Sequence, residues 1–151
     1  MIGIWLLLLF VIAPIGLVIH ETGHIIAGFL CGARYSVLSV GAGNSILRIK
    51  FQKLHIIVGR IYFLGGYSIN VKDPDFSCLQ KVWISLAGPF ANSIVFLCFM
   101  NIKLGYENEV LLFSFFNLYM AVINMIPFKI GKRKSDGYLV LENLRAKRVE
   151  S

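Results

Sequence analysis

The 151-residue chain is 57% hydrophobic and only 15% charged, with a mean hydropathy of +0.73. A water-soluble domain of this length carries more charge, so the composition points instead to a single α-helical integral membrane domain, residues 1–151. The net charge is +7, but Lys and Arg flank apolar runs rather than forming a basic face interleaved with aromatics. That pattern argues against nucleic acid as a partner and for the lipid bilayer.

The first predicted span covers about 2–30. Ile2 to Ile19 contains no charged residue. As a helix the span is about 43 Å long, more than a bilayer core requires. Met1 to Trp5 has neither Lys nor Arg, and no small-residue cleavage site follows, so the run reads as a retained transmembrane helix rather than a signal peptide. Pro14 and Gly16 are candidate bend points, tolerated if a neighbour satisfies the freed carbonyl.

From about 35 to 71 the periodicity changes. Ile46 to Gln52 alternates apolar and polar, and Ile56 to Leu64 is β-branched and aromatic, closed by Gly65-Gly66. These are strand signals, and they predict a few short strands at the membrane surface. Lys72 to Ser77 is a polar break. A second span is predicted at about 82–100 and a third at about 110–127. The basic tail, 128–151, contains a short C-terminal helix starting near Tyr138 and capped by Ser135 or Asp136. The three cysteines have no close pair and imply no disulfide framework.

Basic residues concentrate between the first two spans and after the third, whereas the loop from about 101 to 109 has only Lys103 against Glu107 and Glu109. The cytoplasm therefore takes the two basic segments, and the N-terminus lies outside a multi-pass cell-membrane protein.

Near the cytoplasmic end of the first span stands His20-Glu21-Thr22-Gly23-His24. On a helix, His20 and His24 share one face and can present two imidazoles to one ion, with Glu21 beside them as a base for metal-bound water. A charged cluster next to lipid is costly and calls for such a function. A catalytic zinc needs a third protein ligand. Asp73, Asp75, His55 and Asp136 are the candidates. Asp136 suits best by depth, because the first and third spans end on the same side, although an N-cap role is equally compatible with its position.

The chain resembles the site-2 protease family of intramembrane zinc metalloproteases. The residues that carry the likeness are the His20–His24 motif, Gly65-Gly66-Tyr67, Ala87-Gly88-Pro89-Phe90-Ala91-Asn92, and Asn124-Met125-Ile126-Pro127 followed by Asp136-Gly137. The resemblance implies that His20, His24 and Asp136 bind Zn2+, that Glu21 is the general base, and that three transmembrane helices form the core with a membrane-associated β region between the first two. One departure is visible: Phe128 to Ser135 separates Pro127 from Asp136 by more than is usual in the family. The segment either loops out and leaves Asp136 in place, or displaces the ligand.

Gly88 is expected to allow close helix approach. Asn92 and Asn124 are costly in lipid unless they face the bundle interior, where they either hydrogen-bond substrate or the oxyanion, or hold helices together. The expected function is hydrolysis of a peptide bond in or near the membrane segment of a protein or precursor peptide, with the site toward the cytoplasmic face. The alternatives are a catalytically silent protein of the same fold that binds a peptide or partner, and a small transport component. The sequence leaves the oligomeric state open.

Overall fold

The computed structural model describes residues 2–100 and 107–150. Most of the 101–109 loop used in the orientation argument lies outside that range. Three helices are long and apolar enough to cross a membrane: α1 (Ile2–Leu30), α2 (Cys78–Phe99) and α3 (Glu107–Met125). A turn of α1 opens into π-helix over Leu8–Ile12, just before Pro14. Pro14 lacks an N–H and so interrupts the helical hydrogen-bond ladder at this point. The Tyr62 hydroxyl donates to Phe10 O at 3.1 Å in the same turn.

Helix α2 begins four residues before its predicted start. Ser77 and Gln80 form a reciprocal capping box there and satisfy the first free N–H groups. Helix α3 ends at Met125, two residues earlier than predicted, because Ile126 precedes Pro127 and is disfavoured from helical geometry. Among the described residues, the largest side chains that are fully buried are Asn92, Asn117, Ser36 and Ser114, while Trp5, Trp83, Phe90 and Leu97 point outward. This is the inverse of a water-soluble bundle, whose apolar residues lie inside.

The β region differs from the expected set of short strands. It is one long hairpin, β1 (Tyr35–Phe51) and β2 (Leu54–Val71), folded back on itself. The first half of β1 is flanked on both sides: Ser36 to Val40 registers with Leu54 to Val58 on one side and with Asn70 to Gly66 on the other. Gly41 makes this possible. Its φ is +88°, and a Cβ there would stand 2.6 Å from the Cα of Tyr62. Leu38 and Val40 are buried against Ile25 of α1, and each such side chain contributes about 1.5–3 kcal/mol toward seating the sheet on that helix. The outer edge of Gly66–Asn70 has no strand partner among the described residues.

After α3 the chain forms a miniature hairpin, β3 (Lys129–Ile130) and β4 (Arg133–Lys134), then α4 (Asp136–Glu150). Its ends are closed by Ser135 N–H donating to Phe128 O and by Phe128 N–H donating to Ser135 Oγ, both at 3.0 Å. The long spacing between Pro127 and Asp136 thus loops out. The Ser135 hydroxyl also accepts from Tyr138 N–H at 3.2 Å. Ser135 is therefore the cap, which leaves the Asp136 carboxylate for another use.

Candidate metal centre

His20 and His24 sit one turn apart on α1, and their Nε2 atoms are 3.2 Å from each other. Asp136, at the start of α4, closes the triangle. Its Oδ2 is 2.9 Å from His20 Nε2, and its Oδ1 is 3.3 Å from His24 Nε2. All three residues are buried. Tetrahedral zinc with bonds of about 2.0–2.1 Å separates its ligand atoms by about 3.3 Å, so the triangle has nearly the dimensions of one face of that coordination sphere.

The other ring nitrogens explain why Nε2 is the free donor. His24 Nδ1 lies 2.6 Å from the Ile84 carbonyl, which can only accept, so Nδ1 carries the proton. His20 Nδ1 lies 2.7 Å from Asn92 Oδ1. The Asn92 amide donates to Gly16 O at 3.0 Å and to Asn117 Oδ1 at 2.8 Å, and Asn117 in turn donates to Phe113 O at 2.8 Å. Backbone carbonyls thus fix the direction of the whole chain of bonds. Asn92 Oδ1 must accept, His20 Nδ1 must donate, and both imidazoles keep a lone pair on Nε2.

Burial alone would raise the pKa of the Asp136 carboxyl. In the metal-free site, where Nε2 can also take up a proton, the two histidines at 2.9 and 3.3 Å outweigh that effect and hold it below the usual carboxylate value.

Two glycines create the space. A Cβ on Gly88 would overlap His24 Nε2 and stand 2.9 Å from His20 Cε1, so here the glycine makes room for the imidazoles. The close helix approach itself is at Gly23, where a Cβ would overlap the Ala87 carbonyl and lie 2.9 Å from Ala91 Cβ.

Glu21 is buried beside the triangle and lines a cavity of about 840 Å³. The Ser68 hydroxyl donates to Glu21 Oε2 at 2.6 Å. Two residues further along β2, the Asn70 amide donates to His24 O at 3.1 Å, and its oxygen accepts from the Ser36 hydroxyl at 2.6 Å. Gly66, Ser68 and Asn70 are spaced by two, so one face of the strand presents all three to α1. The sequence assigns no role to Ser68, Asn70, Ser36 or Asn117. The polar period of two at Ser68 and Asn70, inside an apolar run, is the signal that marks the first pair.

Of the two asparagines predicted to face substrate or the oxyanion, Asn124 lines the cavity and donates to Met120 O at 2.9 Å. Asn92 is 0% exposed, with its amide hydrogens and oxygen engaged as described. The other ligand candidates lie outside the cluster formed by His20, His24 and Asp136. His55 stacks on Tyr35 with ring centroids 5.5 Å apart. Asp75 pairs with Lys81 at 2.7 Å, and this bond, with a second from Phe76 N–H, lowers its pKa.

Comparison with known proteins bears on the family of the chain. The family model for peptidase family M50 matches residues 6–104, which include the histidine pair, Glu21, Ser68 and Asn92 but stop short of Asp136. A Campylobacter jejuni protein named "Putative zinc metalloprotease Cj1068" is 28% identical over 148 residues, covering 83% of this chain and 37% of its own length. The chain therefore spans little more than a third of that relative. From the match to about two thirds of its residues, together with the motifs that carry it, the chain belongs to peptidase family M50, the site-2 protease family.

Proposed function

We propose that the chain is an intramembrane zinc metalloendopeptidase, with His20, His24 and Asp136 holding the ion and Glu21 as general base. The observation that carries this reading is the convergence of three ligand atoms from two distant helices, with both imidazoles tautomerically fixed to offer Nε2. The zinc metalloprotease name of the relative supports the choice of metal. Zinc held there supplies Lewis acidity that polarises the scissile carbonyl and acidifies water.

The remaining steps belong to the chain's own side chains. Ser68 holds Glu21 Oε2, which leaves Oε1 to take a proton from the attacking water and return it to the leaving amine. Asn92, tied to Asn117 and Gly16, keeps His20 in register. Asn124 is the asparagine on the cavity side and the better placed of the two to meet substrate. A peptide bond inside a helix is shielded from attack, so substrate has to be extended. The unpaired edge of Gly66–Asn70, beside Glu21, offers backbone groups to such a strand.

The outward apolar surface of the three long helices favours a position within the bilayer. The basic segments favour the cytoplasmic side for the site and the outside for the N-terminus. The substrate class is the membrane segment of another protein or a membrane-bound precursor peptide. A displaced third ligand would favour the silent-binder alternative; the hairpin that loops out between Pro127 and Asp136 weighs against it.

The test is Glu21→Gln in the detergent-purified protein. One zinc per chain should be retained while peptide hydrolysis falls by about 10²–10⁴-fold, the usual contribution of a general base. A variant that hydrolyses peptide at the wild-type rate would overturn the mechanism.

A further inference from the structure

The segment by which this chain departs from its family's usual spacing supplies no ligand to the metal triangle, although Arg133 and Lys134 line the mouth of its cavity, and it has a defined architecture. Lys129 registers with Lys134 and Ile130 with Arg133, leaving a two-residue turn, Gly131-Lys132. Gly131 has φ +60°, the conformation that a tight hairpin of this type requires at its first turn position. Two hydrogen bonds between Phe128 and Ser135 close the base. Lys134 fastens one side to α4: its Nζ lies 2.6 Å from Glu142 and 5.5 Å from the centroid of the Tyr138 ring. The result is a short finger held in a fixed direction.

The finger carries four cations and no acid. Glu142 neutralises Lys134. Lys129, Lys132 and Arg133 are exposed and have no ion-pair partner among the described residues. Beside the turn, Ile130 is 73% exposed. The apolar helix α3 ends at Met125, so if α3 spans a bilayer the finger emerges within the headgroup layer, on the side of Asp136.

Its charges are spread out rather than convergent. Lys129 and Arg133 belong to different cross-strand pairs and project from opposite faces of the ribbon, and Lys132 occupies the turn. One acidic side chain of a peptide could meet only one of them. A headgroup layer that surrounds the finger can offer a phosphate to each of the three, with the Ile130 side chain beside the turn in the acyl boundary.

We propose that the Lys129–Lys134 finger docks on anionic phospholipid headgroups. Lys129, Lys132 and Arg133 contact the phosphates and Ile130 enters the apolar boundary. The contact pins to the bilayer the short connection on which Asp136 is carried, and it does not depend on catalysis.

The experiment titrates fluorescent phosphatidylglycerol into the full chain in neutral detergent, with phosphatidylcholine and inorganic phosphate as competitors. A cation near an anionic surface contributes about fivefold, so the combined Lys129→Gln, Lys132→Gln, Arg133→Gln variant should bind on the order of 100-fold more weakly, and Lys132→Gln alone about fivefold. Added salt should weaken binding by the wild type, a readout that needs no variant to fold. Phosphatidylcholine and inorganic phosphate should fail to displace the probe, and Ile130→Ser should lower affinity for the lipid. Wild-type affinity in the triple variant would overturn the proposal. Displacement by inorganic phosphate would also overturn it, by identifying a free-anion site. So would a triple variant that keeps lipid affinity but loses cleavage of an acidic peptide, because the finger would then serve substrate.

Discussion

Asn92→Ala tests the proposed orientation of the metal centre most directly. Asn92 makes three hydrogen bonds of 2.7–3.0 Å from a fully buried position. The substitution orphans His20 Nδ1–H and Asn117 Oδ1, while Gly16 O, inside a helix, loses only an extra donor. A buried group left without a partner costs about 1–3 kcal/mol. Hydrogen bonds within membrane bundles average nearer about 0.6 kcal/mol, because the unfolded chain in the membrane finds partners too. For the two orphaned groups these bracket a loss of about 1–6 kcal/mol. The freed imidazole can also turn or change tautomer, and loss of such an outer hydrogen bond typically weakens metal affinity by about 10- to 100-fold. Thermal unfolding of the chelator-treated protein reads the first effect. Competition for zinc against a chromophoric chelator, below the variant's unfolding temperature, reads the second. A variant that binds zinc within about twofold of wild type would refute the argument that Asn92 fixes His20.

Other substitutions probe separate parts of the site. Gly88→Ala should sharply reduce zinc affinity: the new Cβ overlaps His24, and restoring contact distance displaces a ligand by about 1 Å where metal sites tolerate about 0.2 Å. Zinc titration of the folded variant checks this. Ser68→Ala should lower turnover about tenfold, the scale of a lost charge-assisted hydrogen bond. Its zinc content should be unchanged and Ser68→Thr should restore the rate, whereas metal loss in Ser68→Ala would reassign the residue to the fold. The Asp136 carboxyl has a depressed pKa in the folded protein, so in metal-free protein its contribution to stability is complete above the ordinary value of 3.8 and disappears as pH falls below it through the folded pKa. Acid unfolding of wild type against Asp136→Asn should converge at low pH, and curves that stay parallel would argue against the linkage.

Much of the site is local and therefore legible in the sequence. A spacing of four puts His20 and His24 on one helical face whatever surrounds them. An uncharged run of the length of Ile2–Ile19 leaves few environments open to it. The period-two pattern of Ile46–Gln52 marks extended backbone, although it does not reveal that β1 pairs on both flanks, because the bend at Gly41 depends on the backbone of Tyr62 lying against it. The sequence alone left Asp136 undecided between ligand and cap. The tertiary structure separated the two roles, giving the cap to Ser135 and turning Asp136 toward the histidines from 116 residues away. It also decided the partners of Asn92, the bond from Ser68 to Glu21, and the outward looping of Lys129–Lys134. Each of these depends on a meeting of atoms far apart in the chain. Residue type and spacing determine what a side chain is able to do, but packing determines which partner it meets.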